Sequence, residues 1–300
     1  MSEASKVGFI GIGNMGWPMA ANLVKAGFAV TVHDLNPEQA RKFAAEHDAT
    51  AAASLADLGG CDVVVTMLPT SKEVREVLLD SEGGGVAAHL GAGAIAIDMS
   101  SASPVATREI GADLAGHGVK FVDAPVSGGV TRAADGSLTI MIGGDPDAVA
   151  ASRPVLEAMG GKLFEVGSLG CGHAMKALNN YLAATSFAAT SEAVLIGERF
   201  GLDPSVMADI FNVSTGKTFC SENLLKQEIL SGRFGSGFAA GLLAKDVKIA
   251  SDLGEDIGID APVSRLVRDR WAEARDGLGG DADHTRAGTY WASKAVREQD

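Results

Sequence analysis

The stretch Val7-Gly8-Phe9-Ile10-Gly11-Ile12-Gly13-Asn14-Met15-Gly16 decides the fold. A short apolar run reads as a buried strand. It passes without a spacer into a Gly-x-Gly-x-x-Gly turn and then into the helical pattern Met15 to Ala26. With 38 glycines in 300 residues, that spacing alone arises by chance. Its context makes it specific, because Asp34 ends the next strand-like run eighteen residues after Gly16. Gly11 permits a tight turn, Gly13 lets the backbone approach a pyrophosphate, and Gly16 lets helix and strand pack closely. Ile12, Asn14 and Met15 complete a loop whose N–H groups and helix dipole suit phosphates. Asp34 is placed to accept the ribose hydroxyls of NAD and to repel the extra phosphate of NADP; Leu35, Asn36 and Pro37 after it bring no arginine. The cofactor expected is NAD rather than NADP.

Outward from this motif, strand-like runs recur at Ala29 to His33, Val63 to Leu68, Ala94 to Asp98, Phe121 to Asp123 and Leu138 to Ile142. Helical patterns at Pro37 to Glu46, Ser71 to Leu79, Val105 to Ala115 and Asp147 to Met159 separate them. The alternation predicts a parallel sheet covered on both faces, an α/β dinucleotide-binding domain of Rossmann type over 1–167. The glycine-dense turn Gly167 to Gly172 then leads to a helix from about His173 to Arg199 that joins the domains. Within it, the uncharged stretch Ala177 to Ser191 reads as buried. Of nine prolines only Pro204 and Pro262 follow Pro154, and Asp203 and Asp260 stand just ahead of them as helix-start residues. Helices near 204–213, 221–230, 242–254 and 262–276 make 168–300 an all-helical domain for substrate and dimerisation. Gly83-Gly84-Gly85 marks a flexible loop.

Composition removes several functions. Lys plus Arg is 25 against 38 for Asp plus Glu, a net charge of −13, which opposes binding to nucleic acid. No run reaches the ~18 uncharged apolar residues of a membrane helix, and Met1 to Lys6 leaves no room for a signal peptide. Three cysteines (Cys61, Cys171, Cys220) without a CxxC pair suit a reducing, cytoplasmic location. Six histidines show no HxxxH or HxH spacing, so no metal site is expected.

The chemistry must lie elsewhere. In Asp123-Ala124-Pro125-Val126-Ser127-Gly128-Gly129 a hydroxyl precedes two glycines, which suits a carboxylate; a plain glycine turn explains the same residues equally well. In the long helix, Lys176 and Asn180 are one turn apart and share a face. A lysine at the head of the uncharged stretch Ala177 to Ser191 is either an acid/base group or a structural cation paired to a carboxylate. His173 reads as a polar helix-start residue rather than a border of the site, and Cys171 shows no neighbouring base.

Four motifs stand in one order: GIGNMGWPMAANL (11–23), DAPVSGG (123–129), GCGHAMKALNN (170–180) and the Lys245-Asp246 pair of LAKDVKIA (243–250). Together they resemble the β-hydroxyacid dehydrogenase family over nearly the whole chain. The resemblance implies an active site between the domains, Lys176 as catalytic acid/base, and Asn180 orienting substrate. It further implies that Ser127, Gly128 and Gly129 hold the substrate carboxylate, and that Met67, Leu68, Pro69, Ser101 and Lys245 meet the cofactor. Ser101 stands where many relatives carry threonine, and Lys217 where many carry arginine. The implied reaction moves a hydride between a short 3-hydroxy acid and NAD. Alternatives are a reductase of semialdehydes, similar to tartronate semialdehyde reductase, or a silent nucleotide-binding scaffold. Imine reductases resemble this pattern without the lysine, and 6-phosphogluconate dehydrogenase needs a longer chain. A homodimer or homotetramer is expected, with no nucleic-acid or membrane partner.

Overall fold

The computed structural model describes residues 5–80 and 85–295. Gly83 and Gly84 of the glycine loop, and Met1 to Ala4 of the N-terminal reading, lie outside the described residues. The chain forms two compact units, 1–176 and 177–300.

The first unit is built on nine strands among the described residues: β1 (Lys6–Ile10), β2 (Ala29–His33), β3 (Thr50–Ala51), β4 (Val63–Thr66), β5 (Ile95–Asp98), β6 (Lys120–Asp123), β7 (Val126–Ser127), β8 (Leu138–Gly144) and β9 (Gly160–Gly167). Their order is β3-β2-β1-β4-β5-β6-β8-β7, with β9 on β8. Helices α1 (Gly16–Lys25), α2 (Pro37–Glu46), α3 (Ser71–Arg75), α4 (Pro104–Gly116), α5 (Gly129–Ala134) and α6 (Pro146–Met159) connect them. Strand order reverses between β1 and β4, and a doubly wound sheet opens its ligand crevice beyond the carboxyl ends of strands at such a point. The apolar strands are buried on both faces: Val7, Phe9, Val63 and Val65 pack in one core, Ile10, Val64 and Ala96 in the other.

The Rossmann-type expectation holds, while the all-parallel sheet needs correcting. β1 to β6 run parallel, but β8 is antiparallel to both β6 and β7. Only residues 124–137 link β6 to β8, and their helix, α5, is too short for a right-handed crossover. Asp123 pairs with Gly143 and Ser127 with Thr139, so β7 and the start of β8 overhang the carboxyl edge of β6.

The second unit is helical. Helix α7 (Cys171–Phe200) spans the division between units and is followed by α8 (Pro204–Val213), α9 (Phe219–Asn223), α10 (Ala240–Asp256), α11 (Pro262–Leu278) and α12 (Ala287–Lys294). Its core gathers Phe187, Trp271 and Trp291, with the Trp271 indole donating to the Ala184 carbonyl at 3.1 Å. Asp203 caps α8 as its proline predicts, accepting from Ser205 N at 2.7 Å. Asp260 does not cap α11; Ala261 holds that position and Asp260 pairs with Arg265 at 2.7 Å. Nor is the uncharged segment of α7 wholly buried, since Leu178 and Leu182 are exposed one turn apart. Absence of charge marked a helix that buries one stripe and leaves another open. No helix among the described residues is long and apolar enough to cross a membrane.

Candidate active site

At the switch point the three glycines differ in the way the sequence requires. Gly11 has φ +91°, and a Cβ there would lie 2.5 Å from the Met67 carbonyl oxygen. A Cβ on Gly16 would lie 2.0 Å from the Gly11 carbonyl oxygen, so only glycine lets α1 begin so close to β1. A Cβ on Gly13 meets nothing within 4 Å. Space kept clear over exposed backbone is what a phosphate needs. Met15 at the N-cap of α1 gives no side-chain acceptor, leaving the helix start to an outside anion. Asp34 Oδ2 accepts from Ile12 N and Oδ1 from Asn36 N, each at 2.9 Å, while Gln39 Nε2 donates to the Ile12 carbonyl at 3.2 Å. Two backbone donors fix the carboxylate beside the loop, with further lone pairs for hydroxyl groups. Asn14 is exposed and Met15 half-buried beside it. The residues present fit a dinucleotide.

Met67, Leu68 and Pro69 follow β4, with Met67 N on the Ile10 carbonyl at 2.9 Å. Leu68 N donates to Ser100 Oγ at 2.9 Å, which ties this loop to the one carrying half-buried Ser101 after β5. Thus Gly11 to Gly16, Asp34, Met67 to Pro69 and Ser101 share the carboxyl edge of one sheet. Ser127 is half-buried at the end of β7, and Gly128 and Gly129 are exposed with φ +138° and +67°. What was open as a glycine turn is a left-handed bend into the short helix α5.

Lys176, half-buried, sits in the second turn of α7. The start of that helix is held by Asp123 at the end of β6, which accepts from Gly170 N at 2.7 Å and from His173 N at 2.8 Å. Gly143 and Gly172 leave room for this carboxylate, since a Cβ on either would come within 2.8 Å of it. Burial raises the Asp123 pKa above the ordinary carboxylate value, against the attraction of His173 and the two backbone donors. His173 lies in the first turn of α7 as expected, yet it is buried between Asp98 and Asp123 rather than facing water. Sequence reading missed Asp98, Asp123, Thr66 and Thr107 around it. A usable signal was present, because Asp98 and Asp123 each end a strand directly after apolar residues.

In the second unit, Asn180 Nδ2 donates to buried Asp246 at 2.6 Å, and Asn179 Nδ2 donates to Asn180 Oδ1 at 3.1 Å. Both bonds fix which way the Asn180 amide points. Lys245 Nζ lies 3.7 Å from the other Asp246 oxygen. Lys217 pairs with Glu222 at 2.7 Å. No cluster of metal-ligating side chains occurs among the described residues.

Such a fold and glycine loop define a dinucleotide-binding protein of Rossmann type. The family model described as the NAD binding domain of 6-phosphogluconate dehydrogenase matches residues 6–167, and that described as the NAD-binding of NADP-dependent 3-hydroxyisobutyrate dehydrogenase matches 170–291. An NAD-dependent L-serine dehydrogenase of Pseudomonas aeruginosa is 36% identical over 267 residues, 87% of this chain and 89% of that one. The mitochondrial 3-hydroxyisobutyrate dehydrogenase of Mus musculus is 38% identical over 260 residues, 84% of this chain and 76% of that one. A Mycobacterium tuberculosis 3-hydroxyisobutyrate dehydrogenase structure with L-serine superposes with TM-score 0.89 at 33% identity, covering 96% of this chain and 99% of the other. The chain belongs to the β-hydroxyacid dehydrogenase family. It is an oxidoreductase of hydroxy acids that uses a nicotinamide cofactor.

Proposed function

We propose that this protein oxidises a short 3-hydroxy acid with NAD, Lys176 acting as the general base and, in reverse, the general acid. The observation that carries the reading is the place of Lys176 on a helix latched by Asp123 to the sheet edge on which the glycine loop opens. Lys176 Nζ takes the hydroxyl proton as the carbonyl forms and returns it in reduction. The bound nicotinamide supplies the hydride acceptor or donor. Ser127 Oγ and the backbone of Gly128 and Gly129 hold the substrate carboxylate, and Asn180 orients the hydroxyl. Those two roles, and contact of Lys245 with the cofactor, rest on the matched motifs. Asp34 favours NAD, since a 2′-phosphate would meet like charge there.

The relatives named above act on 3-hydroxyisobutyrate and L-serine, each with a hydroxyl on the carbon next but one to a carboxylate. That shared group is the substrate class proposed. A semialdehyde reductase similar to tartronate semialdehyde reductase is the same chemistry run backwards. Cofactor reduction should be screened with 3-hydroxyisobutyrate, L-serine, glycerate, threonate and 3-hydroxypropionate. Turnover of at least one with NAD supports the reading, and inertness toward all five defeats it.

Self-association through the helical unit is also proposed. Val206, Ile210 and Val213 form one exposed apolar face of α8, and Ile196, Phe200 and Leu266 are exposed as well. Light scattering at micromolar concentration should give a dimer or tetramer; a monomer mass would refute it.

A further inference from the structure

Buried beneath the start of α7 lies a side-chain cluster of which the proposed function draws only on Asp123, as the anchor of that helix. His173 is 1% exposed, Asp98 1%, Asp123 0% and Thr107 1%. Its contacts limit where its protons lie. The Thr107 hydroxyl donates to the Ser103 carbonyl at 2.9 Å, and a carbonyl only accepts. With its one proton on that carbonyl, the hydroxyl accepts at 2.7 Å from His173 Nδ1, which then carries hydrogen. On the far side of the ring, buried Nε2 has no hydrogen-bond partner, and Asp98 Oδ2 lies 3.6 Å away. Asp98 Oδ1 is already engaged by the Thr66 hydroxyl at 2.9 Å and Ser100 N at 3.0 Å, so Oδ2 is the oxygen turned to the ring. A bare Nε2 in this buried site would set its lone pair against a carboxylate, whereas a protonated ring meets Asp98 at 3.6 Å with opposite charge, at ion-pair rather than hydrogen-bond distance. Asp123 Oδ2 stands 3.7 Å from Nδ1. Of the elements packed on the ring, β5 contributes Asp98, β6 Asp123 and α4 only the neutral Thr107; Arg108 of α4 donates instead to the Leu169 carbonyl at 3.0 Å.

We propose that His173 is an imidazolium set between Asp98 and Asp123, and that this cluster is the latch positioning the first turn of α7 and with it Lys176. The ring offsets two buried carboxylates that would otherwise repel each other, one of which holds the helix start by two backbone N–H groups. The other, through Ser100, braces the loop after β4. His173 is a positioning residue that acts through Lys176, so the functional half of the proposal rests on the acid/base reading of Lys176.

Two measurements test it. In the full chain with ring-nitrogen-labelled histidine, one imidazole should show both nitrogens protonated at neutral pH, and its signals should vanish in His173→Gln. A spectrum holding only neutral tautomers overturns the imidazolium. In turnover with a substrate from the screen, His173→Gln should lose about 10²-fold in kcat, the usual cost of a small misplacement, with NAD affinity unchanged. Because the effect passes through one group, Lys176→Ala with His173→Gln should lose no more than Lys176→Ala alone. Full additivity, or wild-type kcat in folded His173→Gln, overturns the latch. Turnover surviving in Lys176→Ala defeats the Lys176 reading instead, and the spectrum of the unsubstituted chain still decides the charge of His173.

Discussion

The glycine loop after β1 and the cluster under α7 manage charge at one edge of the same sheet by opposite means. In the loop the work falls to backbone: three glycines shape it, and a partly exposed Asp34 is steadied by the N–H groups of Ile12 and Asn36. Under α7 it falls to side chains from β4, β5, α4, β6 and α7, buried and satisfied largely by one another. The first arrangement leaves room for a ligand to come and go. The second is permanent structure, and its product is the fixed start of one helix. The glycine loop and the seat of Lys176, the proposed acid/base group, are therefore separable, and substitutions can be chosen to strike one without the other.

The largest expected effect comes from the α7 side. Lys176→Ala should lower kcat by about 10²–10⁴, the usual worth of a positioned proton-transfer group, while NAD affinity and melting temperature stay near wild type. A variant that loses stability but keeps turnover per folded molecule would make Lys176 a structural cation.

The next effect divides the loop against itself. Gly16→Ala places a methyl 2.0 Å from the Gly11 carbonyl oxygen and should lower stability by about 1–3 kcal/mol, the usual cost of overpacking, besides weakening the cofactor. Gly13→Ala meets nothing within 4 Å, so its melting temperature should be unchanged while its NAD affinity falls. Calorimetry with and without NAD checks both; equal melting losses in the two variants would show that Gly13 serves packing rather than phosphate. Smallest is the effect at Asp34. Its like charge toward a 2′-phosphate should favour NAD over NADP by at least about tenfold, roughly 1.4 kcal/mol, in kcat/KM. Asp34→Asn should narrow that ratio, and an NADP preference in the unsubstituted chain would remove this role from Asp34.

The same contrast explains what could be read in advance. Gly11, Gly13, Gly16 and Asp34 lie within one strand-turn-helix-strand unit, so their spacing and its local context carried their geometry. Asp98, Thr107, Asp123 and His173 span seventy-five residues, and no local pattern joins a histidine in one helix to a threonine in another. His173 looked like an ordinary polar residue at a helix start because its neighbours in sequence are not its neighbours in space. The antiparallel β8 escaped for a similar reason: its apolar run matches that of a parallel strand, and only the short link from β6 gives its direction. Strand identity is a local property, whereas pairing depends on the chain between.

The central claim is that a hydride passes between the hydroxyl-bearing carbon of a 3-hydroxy acid and the nicotinamide. It is tested most directly by turning over such an acid with deuterium on that carbon, together with NAD, and weighing the reduced cofactor by mass spectrometry. The account predicts one deuterium on the nicotinamide ring for each product formed. Deuterium retained wholly by the product or released to water, with an unlabelled cofactor, would contradict it.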